Sequence, residues 1–387
     1  MGAMGTTQGR PWKRIAAALC TVLLVAPSAG CTGEPPPPEP DKPAAFTLLE
    51  SFSSRMLEEG APAVLIAIRN QGKSWTHAAG VRNLEAGEPA TVTDPVHIGG
   101  VTESMVAVSV LKLVEEAKLN LDRQASDYLP EFGSVLHPPG PITVRQLLTH
   151  ESGLPDFSVP LLASGTWEET MNRPLSLEQQ LALAATLPWE RRLAQIFNYS
   201  RSDYAALGLI IERLRGQSLS RVLAADIAQP LGLTATSLGI GPSATMVHGY
   251  VTVEGKQLDV TRPAWQAELP SGGVVSTVED VNRFYAALLQ GSLLPPDTVT
   301  AMKGAYSQYY GFALRRWNNT CNNRFYYGLP GDTDGYGMIT MTSEDGSRQL
   351  TLSVAYPPAP PTLQLNPLIY EMQDVAQEAL NSLCSEN

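Results

Sequence analysis

The sequence predicts a mixed α/β (α+β) protein: an antiparallel sheet flanked by helices, with an all-α part between the halves of the sheet. Three observations support this fold class. Residues 46–80 read as a helix followed by a β-hairpin. The span from about 100 to 250 has mainly helical periodicity. Beyond 250 the chain returns to short alternating strands and closes with a helix, so both ends are expected to contribute to one sheet.

The first elements follow from the spacing of apolar residues. Residues 46–60 repeat large apolar side chains every three or four positions, which is typical of an amphipathic helix. Residues 62–69 are almost continuously apolar and predict a buried strand. A glycine turn at 71–72 and a second strand at 73–80 then complete a hairpin.

The central helix of the sequence lies at 101–114. Nine of these fourteen residues are apolar and they do not keep to one stripe, which predicts a helix buried on all sides. Gly99 and Gly100 allow the backbone to turn tightly into its first turn. Such a helix start presents free N–H groups at the floor of a cleft, where a nucleophile and an oxyanion hole would be placed.

The remaining elements are predicted from periodicity and end signals. Apart from a helix that begins after the N-cap residue Thr277, helices are expected at 143–150, 175–185, 204–215 and 365–383, strands at 249–253, 309–317, 335–342 and 349–356, and loops at 127–130 and 138–141.

The N-terminal region is expected to direct export. Within residues 1–31, basic residues precede an apolar run of about a dozen residues, too short for an ordinary membrane span, and small residues then precede Cys31. This pattern is similar to a bacterial lipoprotein signal, with Cys31 lipidated and the protein held at the extracytoplasmic face of the membrane. A plain secretory signal, giving a secreted protein, is the alternative. Residues 32–44 are proline-rich and predict a stiff tether.

Length and charge limit the function classes. A chain of 387 residues suits one large domain, here at 45–384, with α/β parts at about 45–95 and 250–384 and a helical part at about 96–249. The net charge of −11 excludes a basic footprint for nucleic acid. The five histidines do not show the spacing of metal ligands, so no metal or cofactor is expected. We also expect a monomer.

Several stretches carry a family resemblance. The segment His-Ile-Gly-Gly-Val-Thr-Glu-Ser at 97–104 resembles the first motif of the serine β-lactamase and penicillin-binding-protein superfamily, 143–154 resembles its Leu-Leu-Thr-His-Thr-Ser-Gly-Leu segment, and 198–204 resembles its Tyr-Ser-Asn motif. Residues 311–336 are especially similar to secreted actinomycete D-alanyl-D-alanine carboxypeptidases. The resemblance implies that fold and acyl-transfer chemistry, in which a serine attacks a carbonyl while a lysine and a tyrosine move protons.

The residues that carry this chemistry are largely replaced. Gly100 stands where the family has its serine, and Glu103 where it has its lysine. Tyr199 is retained. Arg201 replaces the family's asparagine. Leu329, Pro330 and Gly331 replace its third motif, so the cation and the hydroxyl of that motif are missing.

Other candidates follow from the same comparison. The backbone N–H groups of Gly100 and Asp332 are the oxyanion-hole candidates, and Asp332 adds negative charge where an anionic substrate end would lie. We interpret His150 as a hydrogen-bonded structural residue at a helix end. Ser109 and Lys112 fit a Ser-x-x-Lys pattern, but they lie inside an apolar run without a preceding glycine turn, which favours a packing role.

Two further pairings are expected. Export favours a disulfide between Cys321 and Cys384, since Cys20 is expected to leave with the signal and Cys31 to be lipidated. The similar carboxypeptidases also carry a cysteine at each of these two places. Two free thiols are the alternative. Because the family's lysine and asparagine are neighbours, Glu103 and Arg201 are predicted to form a buried bidentate ion pair.

Two functions are compatible with these replacements. The first is a pseudoenzyme, an exported, membrane-tethered binding or accessory protein whose partner is a cell-wall peptide or an envelope protein. The second is a hydrolase of the carboxypeptidase, esterase or β-lactamase type, in which Glu103 would act as general base on a water near Gly100.

Overall fold

The computed structural model describes residues 42–189, 196–239, 244–304 and 310–386. The expected signal at 1–31, with Cys31, lies outside these residues, as does nearly all of the tether at 32–44. The strands are β1 Ala63–Asn70, β2 Lys73–Gly80, β3 Val96–His97, β4 Ser237–Leu238, β5 Tyr250–Val253, β6 Lys256–Asp259, β7 Val274–Ser276, β8 Arg315–Asn319, β9 Arg324–Gly328, β10 Pro330–Thr333, β11 Tyr336–Ser343 and β12 Arg348–Ala355. The helices are α1 Ala44–Glu58, α2 Val101–Glu115, α3 Pro130–Leu136, α4 Val144–Leu148, α5 Ser158–Ala163, α6 Trp167–Met171, α7 Leu177–Ala184, α8 Arg201–Arg215, α9 Leu219–Leu223, α10 Gln229–Leu231, α11 Val278–Leu289, α12 Pro296–Met302 and α13 Leu368–Ser382.

The main sheet joins the two ends of the described chain. Its strand order is β2-β1-β12-β11-β9-β8, with β10 also paired to β11, and neighbouring strands run antiparallel. In β1, which lies between β2 and β12, Ile66 is opposite His77 on one side and Leu352 on the other. Helices pack against this antiparallel sheet, so the predicted fold class is confirmed.

Both faces of the sheet are covered, which explains the continuous apolar run in β1. Ile66 belongs to a core formed with α1 and α13, whereas the next residue towards the N-terminus, Leu65, belongs to the larger core that contains α2 and α8. Because successive strand residues point to opposite faces, a strand covered on both sides needs apolar residues at every position.

Helix α2 passes through this larger core, as its sequence predicts. Twelve of its fifteen residues are buried, among them the charged Glu103. Helix α8 packs beside it; the side chain of the N-cap residue Ser200 accepts a hydrogen bond from the Ser202 amide, and the helix ends at Gly216, which has φ of 64°. The candidate site lies at the N-terminal ends of α2 and α8.

Two local predictions are wrong. The loop expected at 127–130 ends one residue early, because helix α3 begins at Pro130, which occupies a first-turn position where its missing N–H costs nothing. The strand expected at 309–317 lies further along, in β8, because the chain bends at Gly311 and Ala313. A Cβ on Gly311 would lie 2.2 Å from the Met302 carbonyl oxygen, and Ala313 has φ of 49°.

The C-terminal end is held by a covalent link. Cys321, after β8, forms a disulfide with Cys384, which follows α13, so the predicted pair is confirmed. Within the described ranges, every helix is too short or too polar to cross a lipid bilayer.

Candidate functional site

The floor of the site is a close contact between the start of α2 and the strand β10. Gly99 has φ of +49°, and a Cβ there would lie 2.6 Å from the Asp332 nitrogen. A Cβ on Gly331 would lie 2.0 Å from the Ile98 carbonyl oxygen. Each backbone therefore fills the space that a side chain on the other would need, which explains why both positions are glycine.

Gly100, at the position of the family's serine, occupies the N-cap of α2 with φ of −56°. A Cβ at Gly100 would lie 3.0 Å from the Pro330 carbonyl oxygen, so any side chain requires β10 to move slightly. In the β10–β11 hairpin, Thr333 pairs with Tyr336 across a two-residue turn, and Asp332 pairs with Gly337. Since hydrogen-bonded and non-hydrogen-bonded pairs alternate, the Asp332 N–H points away from β11, towards Gly99. The oxyanion role of Gly100 and Asp332 stays a prediction.

Behind Gly100 lies a buried row of three titratable side chains. Glu103 Oε2 lies 3.4 Å from His150 Nε2, and His150 Nδ1 lies 3.0 Å from Asp203 Oδ2. Glu103 is 2% exposed, and the other two are fully buried. Both carboxylates lie in the first turn of a helix, α2 or α8, where free N–H groups and the helix dipole stabilise negative charge.

The two carboxylates keep His150 positively charged. Burial lowers the pKa of His150, but the charge of Glu103 and the hydrogen bond to Asp203 raise it by more than burial lowers it. The pKa is therefore raised to about 9. Burial raises the pKa of Asp203 to about 6, against the opposing hydrogen bond from His150. At neutral pH the row therefore holds an imidazolium between two carboxylates.

Arg201 lies apart from this row, and its predicted ion pair with Glu103 is wrong. Its Nη1 donates to Asp156 Oδ2 at 3.1 Å, and its backbone N–H donates to the same oxygen at 3.2 Å. The reason is positional: His150 reaches Glu103 from the end of α4, so the buried charge is compensated without Arg201.

An aromatic cage, made of Phe197, Tyr199, Tyr204 and Tyr310, surrounds the His150 ring. The ring centroids lie between 4.7 and 5.8 Å from that of His150. The Tyr310 hydroxyl donates to Glu103 Oε2 at 3.2 Å. Loss of water around its hydroxyl, followed by the charge of Glu103, raises the pKa of Tyr199 well above its usual value. Tyr199 is therefore a protonated phenol at neutral pH, and the cage limits the access of water to Glu103.

A cavity of about 250 Å³ opens beside this centre. Tyr199, Arg201 and Asp332 line it, whereas Gly100 and Glu103 are absent from its described lining. Leu329 is only 3% exposed and packs in the larger core. The other lining residues are Leu162, Trp167, Tyr250, Val251, Trp265, Gln266, Leu269, Ser271, Gly272, Thr333, Asp334, Gly335, Tyr356, Pro357, Ala359, Pro360, Pro361, Thr362, Leu363, Gln364 and Asn366.

The family assignment rests on the whole domain. The family model described as Beta-lactamase matches residues 49–350, which is more than half of the chain. This chain belongs to the beta-lactamase family. The resemblance seen in the motifs is thereby confirmed, including the similarity to penicillin-binding proteins.

Curated relatives of this beta-lactamase-family chain carry several names. It is 32% identical over 178 residues to Esterase EstB of Burkholderia gladioli, covering 44% of this chain and 45% of the relative. It is 27% identical over 256 residues to Penicillin-binding protein 4 of Amycolatopsis lactamdurans, covering 64% and 65%. Protein flp of Staphylococcus aureus is 26% identical over 255 residues, covering 64% and 49%. The chain thus spans from under half to about two thirds of their lengths.

Solved structures share the fold over more of the chain. D-amino acid amidase from Ochrobactrum anthropi, complexed with L-phenylalanine amide, has a TM-score of 0.74 at 22% identity, covering 88% of this chain and 99% of that one. D-stereospecific amidohydrolase from a Streptomyces species has a TM-score of 0.70 at 24% identity, covering 80% and 94%. At these identities the likeness establishes the fold alone.

Sequence reasoning about this beta-lactamase-family site missed two partners. The sequence indicates a structural role for His150 but not its pairing with Glu103, although its place in the family-like segment at 143–154 is a signal. Asp156 lies in the loop before α5, outside the family-like segments, so the sequence gives no signal for its pairing with Arg201. Ser109 is fully buried, with no hydrogen-bond partner among the described residues, and Lys112 donates to the Asp226 carbonyl. Both observations support the packing role of that pattern. The described residues contain no cluster of ligands suited to a metal ion.

Proposed function

We propose that this protein is a non-acylating member of the beta-lactamase family, a pseudoenzyme with a binding or accessory role at the cell envelope. Position 100 has no side chain to attack a carbonyl, and position 103 carries a carboxylate instead of an amine. The described lining of the neighbouring cavity contains no lysine that could replace it. A cell-wall peptide or another envelope protein remains the proposed partner.

The observation that carries this proposal is the environment of Glu103. Its carboxylate lies beside the His150 imidazolium and under the aromatic cage. A catalytic base needs access to the proton that it removes and a basicity that a neighbouring cation does not suppress. Glu103 has neither advantage, so its arrangement favours a structural role.

The test is acylation by a labelled penicillin. The purified full-length protein is expected to form no covalent adduct, because Gly100 offers no nucleophilic atom. The double variant Gly100→Ser with Glu103→Lys is the matched control, because it restores the family's serine and lysine in the same fold. An adduct with this variant would show that the two replacements cause the lack of acylation. A stoichiometric adduct with the unaltered chain would refute the proposal.

A direct hydrolase is the second candidate, and one observation favours it. Glu103 Oε1 is buried and has no hydrogen-bond partner among the described residues, so it could hold a water or a substrate proton. Esterase and amidase are also the names of similar proteins. Ester or amide turnover that disappears in Glu103→Gln would support this candidate, and no turnover over a broad panel would remove it.

We also propose that the chain is exported and anchored by lipid at Cys31. The basic, apolar and small-residue order of residues 1–31 supports this, and the proline-rich segment at 32–44 would hold the domain away from the membrane. Fractionation of cells distinguishes the anchored form from the secreted alternative.

A further inference from the structure

The cavity beside Arg201 has an excess of negative charge. Among its described lining residues Arg201 is the one cationic side chain, and it is already paired with Asp156. Asp332 and Asp334 contribute two carboxyl groups to the same wall. Such a wall disfavours the anionic substrate end that the family's third motif would bind.

Of the two carboxylates in the lining, Asp332 has hydrogen-bond partners, whereas Asp334 has none among the described residues. The two oxygens of Asp332 accept hydrogen bonds from the Tyr356 hydroxyl at 2.8 Å and from the Asn366 amide at 3.3 Å. Asp334, in the β10–β11 turn, has no hydrogen bond or ion pair within the described residues. Burial raises the pKa of Asp334 to about 6, with Arg201 lowering it and Asp332 raising it. It is thus mainly ionised at neutral pH and incompletely compensated.

The walls add aromatic surface and unsatisfied polar groups. Trp167, Tyr250 and Trp265 line the cavity, and aromatic faces attract cations. Ser271, also in the wall, is 3% exposed, and its hydroxyl has no hydrogen-bond partner in the described part of the chain. The indole N–H of Trp167 likewise finds no partner among the residues that the structure describes. Buried polar groups without partners are rare in proteins and are consistent with a site completed by a ligand.

Hydrogen bonds hold another part of the cavity lining in place. The proline-rich stretch at 357–364 lines the cavity, and the Thr252 N–H donates to the Ala359 carbonyl at 2.9 Å. The Asn366 N–H, just beyond this stretch, donates to Asp332. Prolines restrict the backbone further, so the cavity is preformed.

We propose that this cavity binds a small organic cation, with an ammonium group beside Asp334 and Asp332 and an apolar body against the aromatic walls. Ser271 can accept a hydrogen bond from the ammonium, and Tyr250 and Trp265 supply cation–π contact. The inference deepens the proposed binding role, because it names the class of ligand that the same site takes.

Calorimetric titration with 2-phenylethylamine tests this proposal. The full-length protein is expected to bind this cation saturably with one site per chain, and to bind 3-phenylpropionate, an anion of similar shape, at least tenfold more weakly. Asp334→Asn is expected to weaken binding of the amine at least tenfold. Asp374→Asn, which removes an exposed carboxylate on α13, is the matched control and should leave binding unchanged.

Three results would overturn the proposal: no saturable binding of the amine, equal binding of the anion, or equal affinity in Asp334→Asn. Its failure is separable from that of the non-acylating role. A penicillin adduct would refute that role without affecting binding of the amine. Absence of amine binding would leave the non-acylating role intact, because that role rests on Gly100 and Glu103, which do not line the cavity.

Discussion

At the scale of the residue, the decisive group is the His150 side chain. It sits between Glu103 and Asp203, and none of the three is more than 2% exposed. An ion pair that loses one partner in such a place leaves an uncompensated buried charge, which is strongly destabilising. His150 therefore stabilises the helix starts of α2 and α8 together.

His150→Gln is expected to lower the free energy of unfolding by about 3–5 kcal/mol, because two buried carboxylates lose their cation. Urea denaturation at pH 7 measures this change. His137→Gln replaces an exposed histidine and is the control, with an expected change of less than about 1 kcal/mol. Equal effects of the two substitutions would contradict the assigned role.

The charge of His150 also predicts a pH dependence. Its pKa is about 9 in the folded chain against 6.5 for a free histidine, so its stabilising contribution is complete below pH 6.5 and disappears as the pH rises through 9. Asp203, with a pKa of about 6, is already ionised through most of that window. Melting temperatures are expected to fall over this range, and to fall less in Glu103→Gln, which lacks the charge that holds the proton. Parallel curves for the two proteins would argue against this coupling.

At the scale of the element, the contact between α2 and β10 decides what the site can hold. The glycines at 99 and 331 let the two backbones approach, and the carbonyl of Pro330 lies against Gly100. The strand therefore takes up space next to the position where a nucleophile would stand. This closeness follows from packing of the sheet against the buried helix and not from either segment alone.

Gly99→Ala should destabilise the domain by more than the conformational cost of a positive φ, since its Cβ would meet Asp332 at 2.6 Å. Gly87→Ala is the matched control: Gly87 has φ of +66° and open space around it, so it reports the conformational cost alone, about 1 kcal/mol. Chemical denaturation of both variants gives the difference. Equal losses would show that β10 does not press on Gly99.

At the scale of the whole molecule, the two ends of the described chain stabilise each other. Helices α1 and α13 pack together on one face of the sheet, and β1 pairs with β12. The Cys321–Cys384 disulfide, with a sequence separation of 63 residues, closes the C-terminal part of this arrangement.

Removing that disulfide with Cys321→Ser and Cys384→Ser is expected to lower the free energy of unfolding by about 4 kcal/mol on the loop-entropy model. Thermal unfolding with and without a reducing agent measures it. The reductant should destabilise the unaltered protein and leave the double variant unchanged. An unaltered protein that is insensitive to complete reduction would contradict the expected contribution.

The sequence by itself determined the fold class, the buried helix that begins at Gly100, the loss of the serine and lysine, and the cysteine pair, because hydrophobic periodicity, glycine turns and motif spacing are local properties. Only the tertiary structure decided that Glu103 pairs with His150, that Arg201 pairs with Asp156, and that an acidic, aromatic cavity lies beside the old catalytic centre. Those partners lie 47 and 45 positions apart along the chain. Which side chain compensates a buried charge depends on how helices and strands pack, and a local sequence pattern does not determine that packing.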